Sequence, residues 1–179
     1  RWDDVIERLR NYLQTEEIQP ASELSQIYHP ENPQPQIQAC TLVETHAGPM
    51  LTLVNDYFVG KALWLYGEFS MGEVDLFQKF IQKGAVVIEA GAHLGAHTLI
   101  ISKLVGQSGK VIAFEPQPLL AMLNRATLSL HNIVQTEVIQ NGLSDQISEV
   151  SIPIWDYDKV GNFGAVDLHS HKTTQTAGQ

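Results

Sequence analysis

Two carboxylates and two glycines hold most of the chemical information in this chain. The run Ala85-Val86-Val87-Ile88 leads into Glu89, then Ala90-Gly91-Ala92-His93-Leu94-Gly95-Ala96-His97-Thr98. This reads as a buried strand, an acid at the strand's end, a glycine turn and a helix start. A second apolar run, Val111-Ile112-Ala113-Phe114, ends on Glu115-Pro116. Two adjacent strand ends, each with a carboxylate and with a glycine turn between them, suit a nucleoside-bearing cofactor.

The surrounding elements must place those groups side by side. The helix Thr98 to Val105 follows the first strand, and Gly106 and Gly109 turn the chain into the second. Pro118 to Leu130 is a second helix and Thr136 to Ile139 a third strand. Strands alternating with helices imply a parallel, right-handed, open α/β sheet, a Rossmann-like arrangement. Ligands bind such sheets at the carboxyl ends of strands, where Glu89 and Glu115 stand.

Upstream, Ile37 to Glu44 and Met50 to Asn55 predict a hairpin around His46-Ala47-Gly48-Pro49. Tyr57 to Tyr66 is short and apolar, and Gly72 to Lys83 predicts a helix ended by Gly84. Trp2 to Leu13 has helical spacing, and Ile18 to Gln36, with Pro30, Pro33 and Pro35, reads as a linker. Glu149 to Trp155 and Ala165 to His169 predict a second hairpin around Val160-Gly161-Asn162. The organisation is therefore residues 1–36 as helix and linker, 37–83 as hairpin and lead-in helix, and 84–179 as the cofactor-binding half.

Composition bounds the function. The 179 residues allow one domain with a substantial core, and 44% hydrophobic with 17% charged residues is ordinary for a globular protein. A net charge of −9 with scattered Lys and Arg argues against a nucleic-acid footprint. No apolar run reaches membrane-spanning length. Cys40 is the single cysteine, so neither a disulfide framework nor a thiolate zinc site can form. A cytoplasmic protein is the expectation. The chain starts at Arg1 and ends on the polar Thr173-Thr174-Gln175-Thr176-Ala177-Gly178-Gln179, which suggests a piece of a longer product.

The glycine turn separates two cofactor classes. A dinucleotide site wants G-x-G-x-x-G, but with Gly91 first the next two glycine positions hold His93 and Ala96. A nicotinamide-dependent oxidoreductase therefore fits poorly. What fits is E-x-G-x-x-x-G on Glu89, Gly91 and Gly95, which resembles motif I of class I S-adenosylmethionine-dependent methyltransferases. In that pattern the glycines let backbone approach the cofactor and the first acid serves its amino-acid end. The second acid, here Glu115, accepts hydrogen bonds from both ribose hydroxyls, a task suited to an ionised carboxylate.

The wider sequence resembles one group of these enzymes. Residues 87–98 and 109–117, with Tyr66-Gly67-Glu68-Phe69-Ser70-Met71-Gly72-Glu73 upstream and Gly161-Asn162-Phe163-Gly164 downstream, are similar to the FkbM family of methyltransferases, in that family's order. The resemblance covers about residues 50–170. It implies transfer of a methyl group from S-adenosylmethionine to a hydroxyl oxygen of a sugar or natural product. It places Glu89, Gly91, Ala92, His93 and Gly95 along the methionine and ribose, and Glu115 on the ribose. Pro116 and Gln117 would edge the adenine, and Asn141-Gly142-Leu143-Ser144-Asp145 would lie against its ring.

Three departures stand out. His93 replaces the usual Asn, and Thr127 and His131 stand near positions where the family often has Asn. The family also continues into further strands with an acidic segment near its catalytic centre. Against that pattern this chain is C-terminally incomplete, with three sheet strands plus hairpins. An interaction or cofactor-sensing module that keeps the fold without catalysis is therefore the alternative.

A methyl acceptor needs a base or orienting group. The candidates are Glu68, Glu73, His93 and Asp156, with Glu68 and His93 preferred, Glu73 read as a helix-start acid and Asp156 as part of a solvated strand end. His93 and His97 stand four apart, but Gly95 between them and the lack of a third ligand nearby argue against a metal. His93 is expected at the cofactor and His97 as an ordinary helix-start residue. Trp64, Tyr66, Phe69 and Phe77 read as core packing, with a lid over a sulfonium as the sharper alternative. The expected partner is a small-molecule or glycan acceptor, with no nucleic acid, no membrane and a possible homo-oligomer driven by an open sheet edge.

Overall fold

The computed structural model describes residues 40–147, 149, 152 and 155–165. The expected helix at 2–13, the linker at 18–36, most of both arms of the second hairpin, and His169 and His171 lie outside the described residues.

Strands β1 (Cys40–Thr45) and β2 (Gly48–Leu53) form an antiparallel hairpin with Cys40 opposite Leu53 and Thr45 opposite Gly48. Its turn is tighter than expected, because Thr45 ties it off. The Thr45 hydroxyl donates to the Gly48 carbonyl at 2.6 Å and accepts from the Ala47 N–H at 3.1 Å. Helix α1 (Val59–Tyr66) follows and stops at Gly67, whose φ of 69° is left-handed. Helix α2 (Met71–Phe80) ends earlier than Gly84: Ile81 is already extended, and Gly84 (φ 85°) serves the turn into the sheet.

The sheet is parallel throughout, in the order β3 (Val86–Ala90), β4 (Lys110–Phe114), β5 (Thr136–Ile139). Helix α3 (Ala96–Val105) crosses from β3 to β4, and α4 (Pro118–Leu130) from β4 to β5. Pro118 sits at the start of α4, where its missing N–H costs nothing. Successive crossovers of one hand, in one direction along the sheet, put both helices on the same face.

That placement explains the burial. Val111 and Ala113 point to the helix-bearing face and are fully buried, Val111 packed with Ile101 and Val105 of α3, Ala113 with Ala121 and Leu128 of α4. Glu89 pairs in register with Ala113 and so lies on the same face. The opposite face keeps Val86 and Ile88 at 69% and 65% exposed. The expectation of a buried first strand is thus corrected: β3 is half buried because, among the described residues, helices cover one side only.

The hairpin docks on α4 rather than on the sheet. Thr127 accepts the Leu51 N–H at 3.1 Å, and the His131 ring meets the Pro49 carbonyl at 2.8 Å. Gly48 permits this approach, since a Cβ there would come within 2.7 Å of the His131 ring. The two departures at Thr127 and His131 are therefore docking contacts. A second core joins Met50, Leu53 and Leu63 of the hairpin and α1 to Leu94, Leu99, Leu120 and Phe163. Among the described residues no helix is long and apolar enough to cross a membrane.

Candidate functional site

The site is built at the carboxyl ends of β3 and β4. The Gly91 and Ala92 N–H groups both donate to the Phe114 carbonyl at 2.9 Å, which carries the glycine turn over the end of β4. Gly91 has φ 77°, and no atom lies within 4 Å of where a Cβ would stand. The turn therefore presents bare backbone to open space beside Glu89. Ala92 is buried beneath it.

Glu115 closes the turn from the other side. Its Oε2 accepts the His93 N–H at 2.8 Å and its Oε1 accepts the Gln117 N–H at 2.8 Å. The carboxyl is 3% exposed, and burial raises its pKa despite those two bonds. Each oxygen retains a second lone pair.

Glu89 is held from behind. The Thr98 hydroxyl donates to its Oε2 at 2.7 Å. Burial raises the Glu89 pKa to about 7; the Thr98 bond lowers it and the Glu115 charge adds to the rise. Gly95 (φ 97°) starts α3 and lets Asn124 come close, since a Cβ at Gly95 would stand 2.6 Å from Asn124 Oδ1.

His93 adopts a left-handed φ of 53°, unusual outside glycine. The ring is buried against Gly164, with Nε2 3.7 Å from Asp56 Oδ2 and neither nitrogen hydrogen-bonded. Burial lowers its pKa, opposed by the Asp56 carboxylate. Asp56 was not anticipated. It is fully buried and accepts the Phe58 and Gly60 N–H groups at 3.2 and 3.0 Å, capping α1. An acid just ahead of an apolar helical run was the available signal.

The segment 155–165 roofs the Glu115 side. Gln117 Nε2 donates to the Phe163 carbonyl at 2.6 Å, and the Tyr157 hydroxyl donates to Gln117 Oε1 at 3.4 Å. Gly161 pairs with the loop before α1, donating to Asn55 and accepting from Tyr57. Gly161-Asn162-Phe163-Gly164 thus lies next to His93 and Gln117, and Phe163 is 1% exposed. Burial, with the Glu115 charge adding to it, pushes the Tyr157 phenol up to about 12.

The remaining candidates separate. Pro116 is half-buried beside Glu115, whereas Gly142 and Leu143 are exposed beyond β5. Glu68 is half-buried, and its Oε2 has no hydrogen-bond donor. Glu73 sits in the first turn of α2, 3.6 Å from His97 Nε2. Asp156 pairs with Lys159 at 2.7 Å on the surface. His97 packs between Phe69 and Phe77, with ring centroids at 5.6 and 5.2 Å. His93 and His97 thus serve different acids. Core packing does not hold for Trp64 and Tyr66, which are 59% and 67% exposed. A depression of about 280 Å³ runs beside β3, lined by Phe77, Glu89, Ala90, Gly91 and His97 among others. A larger one of about 490 Å³, at Gly109, Lys110 and Thr136, lies at the amino ends of the strands, away from the acids.

No family model matches the chain, and no curated protein matches it. Among solved structures it is similar to an rRNA methylase from Streptococcus thermophilus, at 26% identity and a TM-score of 0.37, over 40% of this chain and 38% of that one. It is also similar to a SAM-dependent methyltransferase from Aquifex aeolicus, at 23% identity and a TM-score of 0.36, over 47% and 40% of the two chains. A SAM-dependent O-methyltransferase from Thermotoga maritima is matched at 18% identity and a TM-score of 0.42, over 63% and 44%. The chain spans 40% or less of the first solved structures it matches. At these TM-scores the likeness carries no weight beside the geometry of the site.

Proposed function

We propose that this chain carries the cofactor half of an S-adenosylmethionine-dependent methyltransferase of the FkbM type, acting on a hydroxyl oxygen of a sugar or natural product. The observation behind this reading is Gly91: bare, left-handed backbone facing open space beside Glu89, in the turn that Glu115 fastens through the His93 N–H. Glu115 has a spare lone pair on each oxygen for two ribose hydroxyls, and Glu89 offers its charge to the cofactor's ammonium. Gly91 would face the cofactor, with Ala92, His93 and Gly95 shaping the turn that carries it. Pro116, Gln117, Gly142 and Leu143 would border the adenine.

When bound, the cofactor supplies an electrophilic methyl carbon on a sulfonium. The chain's own task is to orient the acceptor hydroxyl and take its proton. Glu68 offers an oxygen without a donor. His93 offers a ring that burial keeps neutral near pH 7. Placement of the reacting atoms in line supplies much of the rate.

A second reading has an observation of its own. Glu115 is 3% exposed and already holds two backbone N–H groups, as a purely structural carboxylate would. That favours a non-catalytic interaction module that keeps the fold. Incubation with methyl-labelled S-adenosylmethionine and a panel of sugar and natural-product alcohols separates the two. Label on an alcohol oxygen supports the enzyme. Label only on peptide or RNA would overturn the acceptor class, and no transfer to any acceptor by the folded protein would favour the module.

A further inference from the structure

Behind Glu89 lies a relay that no motif marks. Asn124 of α4 is fully buried, and its Nδ2 donates to Thr98 Oγ1 at 2.9 Å. Thr98, also fully buried, donates in turn to Glu89 Oε2 at 2.7 Å. A hydroxyl has one proton and two lone pairs. Because Asn124 occupies a lone pair from one side, the Thr98 proton is left to point at Glu89.

The backbone is shaped around this contact. At Gly95 a Cβ would stand 2.6 Å from Asn124 Oδ1 and 2.7 Å from its Cγ. Only glycine lets α4 bring an amide this close to the start of α3. The second glycine of the E-x-G-x-x-x-G pattern therefore admits Asn124, while the first faces open space. Asn124 Oδ1 has no partner, so the amide's contribution runs through its N–H.

We propose that Thr98 and Asn124 are positioning residues that aim Glu89 and hold it ionised for the cationic amino-acid end of the cofactor. The inference rests on the cofactor reading above. Burial works against the charge on Glu89, and the Thr98 bond works for it. The titratable neighbours of the same carboxyl are Glu115 just past β4, whose charge adds to the rise, and His97 of α3, which lines the same depression 3.6 Å from Glu73 of α2.

The test reads Glu89 directly and then its consequence. The side-chain carboxyl of Glu89, assigned with Glu89→Gln, is titrated by carbon NMR in the ligand-free protein. S-adenosylhomocysteine affinity is measured over the same pH range. Losing one charge-assisted hydrogen bond moves a carboxyl by about one pH unit. Thr98→Val should raise the Glu89 midpoint by about that much and displace the affinity curve equally, while Thr98→Ser overlays the parent. Asn124→Leu, which keeps the hydroxyl but frees its lone pair, should move both the same way by less, and it serves if Thr98→Val does not fold. An unchanged Glu89 midpoint in the variants would overturn the relay, as would an affinity loss equal at every pH. A shifted midpoint in a protein that never binds S-adenosylhomocysteine would instead sink the cofactor reading.

Discussion

The Glu115 carboxylate accepts the backbone N–H of His93 at 2.8 Å, so the acid ending one strand fastens the turn that follows its neighbour. The bond spans 22 residues of sequence and joins the two halves of the site. It also explains how a non-glycine residue is held at φ 53° in the middle of the turn.

Replacing that acid should therefore cost more than binding. Glu115→Ala leaves the His93 and Gln117 N–H groups without an acceptor, at about 1–3 kcal/mol each. Glu115→Gln keeps one acceptor and should lose about half as much. Urea titration of both variants checks this. Equal stability of Glu115→Ala and the parent would show that the turn does not depend on the carboxylate.

The two motif glycines should respond differently. Gly95→Ala drives a Cβ to 2.6 Å from Asn124 Oδ1 at a left-handed φ, so it should destabilise by about 1–3 kcal/mol and displace Asn124. Gly91→Ala meets nothing within 4 Å and should cost only the left-handed strain, about 1–2 kcal/mol. Its methyl enters the space assigned to the cofactor, so affinity for S-adenosylhomocysteine should fall tenfold or more. Chemical unfolding paired with calorimetry separates the two effects; a Gly91→Ala protein that binds normally would remove Gly91 from the cofactor site.

Glu89 should make stability depend on pH. Its folded pKa, about 7, lies above the ordinary 4.5, so the folded state holds its proton more tightly. The stabilisation is complete below about pH 4.5 and is lost as pH rises through about 7. His93, whose pKa is lowered, works in the opposite sense as the pH falls, so the comparison is best made by difference. Glu89→Gln should melt near the parent at pH ~5 and a few degrees above it at pH ~8. Parallel melting curves at both pH values would contradict a raised Glu89.

Much of this was legible in the chain, for identifiable reasons. Pro118 marks a helix start and Thr136-Glu-Val-Ile a strand, and both elements run where the pattern puts them. Glu89 and Glu115 were visible because strand ends with acids repeat a local pattern. Asn124 and Asp56 were not, because each matters only through a partner distant in sequence: Thr98 for one, His93 for the other. The roof over Gln117 was not legible, since a Phe163 carbonyl has no sequence signature. Trp64 and Tyr66 misled because aromatic residues near a core usually enter it, and here α1 turns them outward.

S-adenosylmethionine binding at Gly91, with Glu89 and Glu115 as its two acids, is the core of the proposed function. Calorimetric titration of the folded chain with S-adenosylhomocysteine, beside Glu115→Ala, tests it most directly. Saturable micromolar binding that Glu115→Ala abolishes is the expected result. No heat of binding to a folded, monodisperse parent protein, or equal binding by the variant, would contradict it.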